Sequence, residues 1–367
     1  MTSKIQMGEL FAGIGGFYQG FKNAFGEDLE VVYANEWDKY ANKNYLLLHG
    51  LKPTDSDIRE VDEKDLPKLD ILTLGTPCVS FSHAGCQLGF DDMRGTVFFD
   101  AMRIAKEKKP KVVIVENVKG LINNDNGNSV QRILETMNDI GYYVDIELLD
   151  SKYYQVAQQR ERVYIVGIRK DLIKQGQWRE SYTTPTLTKR KQLLSHIESF
   201  SFDWNYGSTP NIVFNDIMKD SIDSKYYYSP LQVSSFEGNE TYEQQLLHRN
   251  INNVHELTMV GKLQALKGND SIKRVYSHYS YLPTLTTMEG GHRQPKVAYF
   301  KEDELVIRKA TPNECWLAQG FTDEQFNLVS ESTSDAQLYK QSGNAVTVNV
   351  IESIANVIKS MNVLDKE

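Results

Sequence analysis

Three places in this chain put reactive side chains where a sheet would present them. Cys78 follows the apolar run Ile71-Leu72-Thr73-Leu74 and then Gly75-Thr76-Pro77, so a buried strand is expected to stop abruptly and set the thiol on the turn at its carboxyl edge. Ligands bind at that edge in open α/β sheets. A thiol there becomes a nucleophile when a helix N-terminus or a cation lowers its pKa, and is otherwise a small buried hydrophobe. Glu116 ends the run Val112-Val113-Ile114-Val115, which offers a carboxylate for acid or base work, or a cap for the next turn. Arg160 and Arg162 flank Glu161 just before Val163-Tyr164-Ile165-Val166. Alternation puts the two arginines on one face, suited to bidentate contact with a phosphate or a base edge.

An α/β sheet has to position these groups. The strand Gln6–Leu10 runs into Phe11-Ala12-Gly13-Ile14-Gly15-Gly16-Phe17, and Tyr18–Phe25 reads as a helix. Such a turn lets backbone N–H groups approach a ligand, although Tyr18 stands where the dinucleotide fingerprint needs a third glycine. The strand Glu30–Asn35 ends at Glu36-Trp37. This is about twenty residues beyond the glycines, where an acid grips a ribose diol, so an adenosine-containing cofactor is expected. Trp37 is placed to stack on the adenine or to pack in the core. A helix over Asp38–His49 leads to Asp55-Ser56-Asp57-Ile58, read as a strand-like unit with an acid at its edge. The segment from Gly85 to Gly95 has the glycines and mixed charge of a loop that closes over a substrate.

Beyond the strand Tyr143–Leu149 and the arginine segment, the alternation of strand and helix stops. From about Thr183 to Lys301 aromatic, polar and turn residues dominate, as in Tyr226-Tyr227-Tyr228, and a second domain of short strands and long loops is expected. Helical pattern resumes from Arg308 to Gly320, with Thr311 as cap and Pro312 in the first turn, and again from Val348 to Lys359.

The 367 residues are 40% hydrophobic and 25% charged, enough for a large core in two domains. A net charge of −8 argues against a nucleic-acid partner by overall balance, but local clusters decide such binding. Basic clusters occur at Arg160/Arg162, Arg169/Lys170, Lys189-Arg190-Lys191 and around Arg249. Cys78, Cys86 and Cys315 are odd in number and lack CxxC spacing, which excludes a disulfide scaffold and structural zinc. No signal peptide or membrane-spanning run is present in the sequence, so a cytoplasmic location is expected.

Taken in order, these segments resemble the motifs of the DNA (cytosine-5) methyltransferase family of bacterial and phage restriction-modification type. Phe11-Ala12-Gly13-Ile14-Gly15-Gly16 resembles its S-adenosylmethionine loop, Asn35-Glu36-Trp37 its ribose motif and Asp57-Ile58 its adenine contact. Pro77-Cys78 is similar to the nucleophile motif, Arg94-Gly95-Thr96 to the segment after the mobile loop, and Glu116-Asn117-Val118 to the second catalytic motif. Gln158-Gln159-Arg160-Glu161-Arg162 is similar to the arginine motif, and Pro283-Thr284-Leu285-Thr286 with Gly343-Asn344-Ala345-Val346 completes the set. Two departures stand out. Val79 occupies the place of the family's usual glutamine, and Cys315-Trp316-Leu317-Ala318 lacks a common arginine.

The resemblance implies a mostly parallel, Rossmann-like sheet over residues 1–185 plus 341–367 and an irregular, β-rich target-recognition domain over 186–340. It implies methyl transfer from S-adenosylmethionine, with S-adenosylhomocysteine as product and no metal, to C5 of a cytosine flipped out of double-stranded DNA. Cys78, Glu116, Arg160 and Arg162 would be catalytic. Phe11, Ala12, Gly13, Gly15, Gly16, Glu36, Trp37, Asp57, Ile58, Pro77, Asn344 and Val346 would hold the cofactor. Ser80, Ser82, Arg94, Arg160 and Arg162 would touch DNA, with Arg160 on a phosphate, and the loop from His248 to Leu263 would read bases. A nucleoid-associated monomer follows, paired in function with a restriction endonuclease it does not touch. A tRNA cytosine methyltransferase lacks support because its Cys-Phe-Thr tripeptide is absent. A silent DNA-binding relative would not keep all four catalytic side chains, and a nicotinamide oxidoreductase explains the glycines only.

Overall fold

The computed structural model describes residues 4–76, 97–179, 184–248 and 256–365. The chain forms two compact units, one of residues 1–149, 161–206 and 350–367, the other of residues 150–160 and 207–349. The first unit therefore runs past residue 185, and residues 341–349 lie with the second.

The first unit is built on six strands: β1 (Ile5–Leu10), β2 (Leu29–Asn35), β3 (Ile71–Gly75), β4 (Val112–Val118), β5 (Tyr142–Asp150) and β6 (Glu161–Arg169), in the spatial order β2-β1-β3-β4-β6-β5. β1 is parallel to β2 and β3, β3 is parallel to β4, and β6 runs antiparallel to β4, so the sheet is mixed. Val112 to Val115 are all but inaccessible, as expected for a β-branched run covered on both faces. Helices α1 (Gly16–Phe25), α2 (Lys39–His49), α3 (Val97–Lys108) and α4 (Asn128–Asp139) supply the cover. Phe98 and Met102 of α3 and Ile133 and Met137 of α4 join Leu72, Leu74, Val113 and Val115 in one core. The helix Val348–Ser360 reaches α1 through Ile351: a Cβ on Gly20 would fall 2.6 Å from that side chain.

Asp55–Ile58 is not a strand. Thr54 makes one isolated bridge to Asn35, and Asp57 then caps a short 3-10 turn over Ile58–Glu60, because its carboxylate captures the Arg59 N–H before a ladder can form.

The second unit carries a five-stranded sheet, β11-β10-β9-β8-β7, from the short strands β7 (Phe236–Gly238), β8 (Met259–Leu263), β9 (Arg274–Ser277), β10 (Lys296–Lys301) and β11 (Glu304–Lys309). Arg308 belongs to β11, not to the helix expected from that point. Its buried guanidinium pairs with both oxygens of Glu314, at 2.8 and 2.7 Å, and the helix begins at Pro312 under the Thr311 cap. Among the described residues no helix is long and apolar enough to cross a membrane.

Candidate active site

β1 ends at Leu10 and the chain turns at Phe11, whose φ of 55° is a left-handed conformation that costs an aromatic residue energy. Gly13 and Gly15 are left-handed as well. A Cβ at Gly13 would meet nothing within 4 Å, so the loop is open there, whereas at Gly15 it would fall 2.1 Å from His49 Nε2. Glu36, 8% exposed, closes the loop: one carboxylate oxygen accepts the Gly13 N–H at 2.8 Å and the other the Asp38 N–H at 2.7 Å. Trp37 beside it is 81% exposed and is not core. Asn35 donates to the carbonyls of Thr54 and Ser56, which brings residues 54–57 alongside β2. Asp57 is engaged by the Arg59 side chain and N–H, which hold its carboxyl down to about 2, and Ile58 is buried.

Three groups beneath this loop carry no motif signal beyond the i, i+4 spacing of two of them on one helix. Glu9 is buried on β1 and accepts the Tyr45 hydroxyl at 3.0 Å; burial pushes its pKa up to about 8. His49 lies against the rings of Tyr45 and Tyr18, with Nε2 3.0 Å from the Ile14 carbonyl. Burial brings its pKa down to about 4, so the neutral ring donates to that carbonyl.

The ends of β3 and β4 hold the second part of the site. Gly75 is opposite Glu116 in the parallel ladder, and a Cβ on Gly75 would sit 3.8 Å from a Glu116 carboxylate oxygen. Asn117 donates to the carbonyl and hydroxyl of Thr76 at 3.1 and 3.0 Å, fastening the residue directly before Pro77. Pro77, Cys78, Ser80, Ser82 and Arg94 lie outside the described residues. Glu116 is 8% exposed and its Oε1 lies 3.1 Å from Arg162 Nε. Register explains the meeting: Glu116 pairs with Tyr164 and Val118 with Arg162, so Glu116 and Arg162 are diagonal neighbours on one face.

Arg160 does not share that face's work. It is 3% exposed and donates from Nη1 to the Leu285 carbonyl at 2.9 Å and from Nη2 to the carbonyls of Gly343 and Ala345, both at 3.0 Å. In this structure the guanidinium is thus held inward by carbonyls, and turning it toward a phosphate would cost the Leu285 and Gly343 carbonyls this donor. Around it, Gln158 accepts the Leu285 N–H and donates to Ala318, while Gln319 donates to the Ser342 and Ala345 carbonyls. A Cβ on Gly343 would fall 1.8 Å from the Thr286 carbonyl oxygen. Segments 158–160, 283–286 and 343–346 thus meet in one knot; within it Val346 is buried and Asn344 exposed. Among the described residues no three His, Cys, Asp or Glu side chains gather in a way that could hold a metal ion.

A glycine loop after the first strand, an acid gripping it from the second, and a carboxylate–guanidinium pair at the end of a central strand are features of α/β enzymes of the class that binds nucleoside-type cofactors. Residues 5–360 match the model of the C-5 cytosine-specific DNA methylase family, and the chain belongs to that family as a DNA (cytosine-5) methyltransferase. It is 37% identical to the orphan methyltransferase M.SPBetaI of Bacillus phage SPbeta, over 96% of this chain and 97% of the relative. It is 35% identical to the type II methyltransferase M.HhaI of Haemophilus parahaemolyticus, over 96% and 94%. Among solved structures, the Dnmt2 methyltransferase of S. pombe superposes with a TM-score of 0.67 at 16% identity, covering 98% of this chain and all of that one, which speaks to the fold.

Proposed function

We propose that the chain methylates C5 of a cytosine swung out of duplex DNA through a covalent bond between Cys78 and ring carbon 6. The observation that carries this reading is the buried Glu116–Arg162 pair at the end of the strand beside the one leading into Pro77-Cys78, with Asn117 clamping Thr76. C5 of cytosine is too weak a nucleophile to take a methyl group unaided. Attack by the Cys78 thiolate at C6 moves electron density onto the ring, and Glu116 delivers a proton to N3 while bonding the exocyclic amine. Arg162 holds Glu116 in line and faces the O2 side. Once C5 carries the methyl group, removal of the C5 proton by a base expels the thiolate, and N3 returns its proton to Glu116 as the aromatic ring is restored. None of these atoms is accessible within a stacked duplex, which is why flipping is part of the reading.

The open space above Gly13, the exposed Trp37 ring and the Glu36 carboxylate fit an adenosine-bearing cofactor. S-adenosylmethionine supplies the methyl group from its sulfonium and becomes S-adenosylhomocysteine. Phe11, Ala12, Gly13, Gly15, Gly16, Glu36, Trp37, Asp57 and Ile58 would hold it, and the family resemblance adds Pro77, Asn344 and Val346 to the cofactor-binding residues. In this reading the first unit is catalytic and the second recognises DNA. Ser80, Ser82, Arg94, Arg160 and Arg162 would touch DNA, and residues 248–263 would read bases. The enzyme works as a monomer, out of contact with any endonuclease that cuts the same site. Bisulfite sequencing of DNA from cells expressing the chain tests the proposal. Protected cytosines within one recurring sequence are expected, absent with Cys78→Ser; no protection, or protection by the variant, contradicts it.

A further inference from the structure

The carboxyl end of β11 and the start of β10 pose an electrostatic problem that nothing in the proposed reaction uses. Lys296 and Lys309 are paired in the antiparallel ladder. The adjacent bond from the Ala310 N–H to the Pro295 carbonyl makes theirs the non-hydrogen-bonded kind of pair, whose side chains come closest. Like charges directly opposite each other are destabilising. Lys296 is only 2% exposed, and its ammonium donates to the carbonyls of His292 and Gln294 at 2.7 and 3.1 Å. Lys309 is half-buried, with Nζ 5.8 Å from the centre of the Tyr228 ring, and the His292 ring lies 6.2 Å from the same ring.

Among the described residues no carboxylate answers either ammonium. Glu289, the acid of the neighbouring loop, is turned to Lys340 at 3.6 Å. The Tyr228 hydroxyl, on a residue 6% exposed, and His292 Nδ1 have no hydrogen-bond partner among the described residues. The connecting loop is wound tightly through left-handed residues at Met288, Gly290 and His292, and Arg293 is exposed on it. Burial and the facing Lys309 bring the Lys296 pKa down to about 8, and burial with both lysines lowers that of His292. An anion is the group this cluster lacks.

We propose that Lys309, Lys296 and the 288–293 loop of the second unit bind a backbone phosphate of DNA, with Arg293 at the rim. This rests on the DNA-acting function proposed above. A phosphate against Lys309, with the buried Lys296 behind it, offsets the repulsion along the ladder and would fix that unit on the duplex without reading sequence.

The test is the salt dependence of binding to a fluorescent mixed-sequence duplex, followed by anisotropy. Lys309→Gln is expected to weaken binding at low salt and to flatten the slope of log affinity against log salt by about 0.9, the share of one phosphate contact. Lys309→Arg should restore the slope, which a merely structural role would not require. Lys296→Gln should flatten it too, but that side chain also clamps the loop, so the Lys309 variants decide. An unchanged slope and affinity in Lys309→Gln overturn the site while leaving the methyltransferase reading intact. Failure of the wild-type chain to bind duplex at all would contradict that reading itself. Inorganic phosphate at matched ionic strength should compete no better than chloride; strong competition that Lys309→Gln abolishes would assign the site to free phosphate and overturn the DNA assignment.

Discussion

The strand ends of the two units carry opposite charge and solve burial in opposite ways. At the site's strand ends in the first unit the buried groups are acids, and each meets a partner: Glu9 the Tyr45 hydroxyl, Glu36 the N–H groups of Gly13 and Asp38, Glu116 the Arg162 guanidinium. In the second unit Lys296 is buried opposite another lysine and meets only carbonyls, although Arg308 one residue from Lys309 is fully paired with Glu314. In the proposed reaction, acids held this way would keep a pocket ready for a cationic cofactor and for a base to be protonated. Cations lacking a described acid mark a surface finished by something outside the chain. The distinction is between groups that position chemistry and groups that await a partner.

The largest expected effect falls on the first pair. Glu116→Gln should keep the fold and cofactor affinity but cut single-turnover methylation by about 10²–10⁴-fold, the span of a positioned acid–base group. Near-normal turnover would reduce Glu116 to a strand-end cap.

The contrast between neighbouring arginines comes next. Arg160→Met takes this donor from the Leu285 and Gly343 carbonyls at about 1–3 kcal/mol each, so the denaturant midpoint should drop sharply, whereas Arg162→Gln should lower turnover first. A stable Arg160→Met protein with weakened DNA binding would support a phosphate role for Arg160 instead.

Glu9 makes a pH prediction. Its pKa is raised from 4.5 to about 8, so the folded chain holds a proton that the unfolded chain has lost between those values, and stability falls as pH rises across that window. Glu9→Gln should remove that part of the decline, measured as unfolding free energy against pH. A parallel curve would mean Glu9 is ionised when folded.

The smallest effect is at Trp37. Because its ring is exposed, Trp37→Ala should leave thermal stability unchanged and weaken S-adenosylmethionine binding by about tenfold in calorimetry, typical of one lost stacking contact. Unaltered affinity would return Trp37 to a surface residue without a role.

What the chain order revealed and what it hid follow a physical division. Glu36 and Glu116 were legible because each ends an apolar run, and a strand's end is local information. Thr311 was legible as a cap for the same reason. Arg160 was not, since its acceptors lie 125 and more residues along the chain and alternation alone paired it with Arg162. The Glu9–Tyr45–His49 stack was hidden because one acid in a strand and two rings in a helix look like any amphipathic pattern until burial is known. Asp57 misled as a strand residue because the competing side-chain cap is invisible in a hydropathy pattern. The opposed lysines needed the β10–β11 register, which short strands in a region rich in turns do not announce.

The central claim is that Cys78 bonds to the cytosine ring. Incubating the enzyme and S-adenosylmethionine with duplex DNA carrying 5-fluorocytosine in the methylated sequence removes the proton whose loss frees the thiolate. The account predicts a denaturation-resistant protein–DNA adduct whose peptide map places the link at Cys78, absent in Cys78→Ser. No adduct with the wild type, or one that survives the serine substitution, would contradict it.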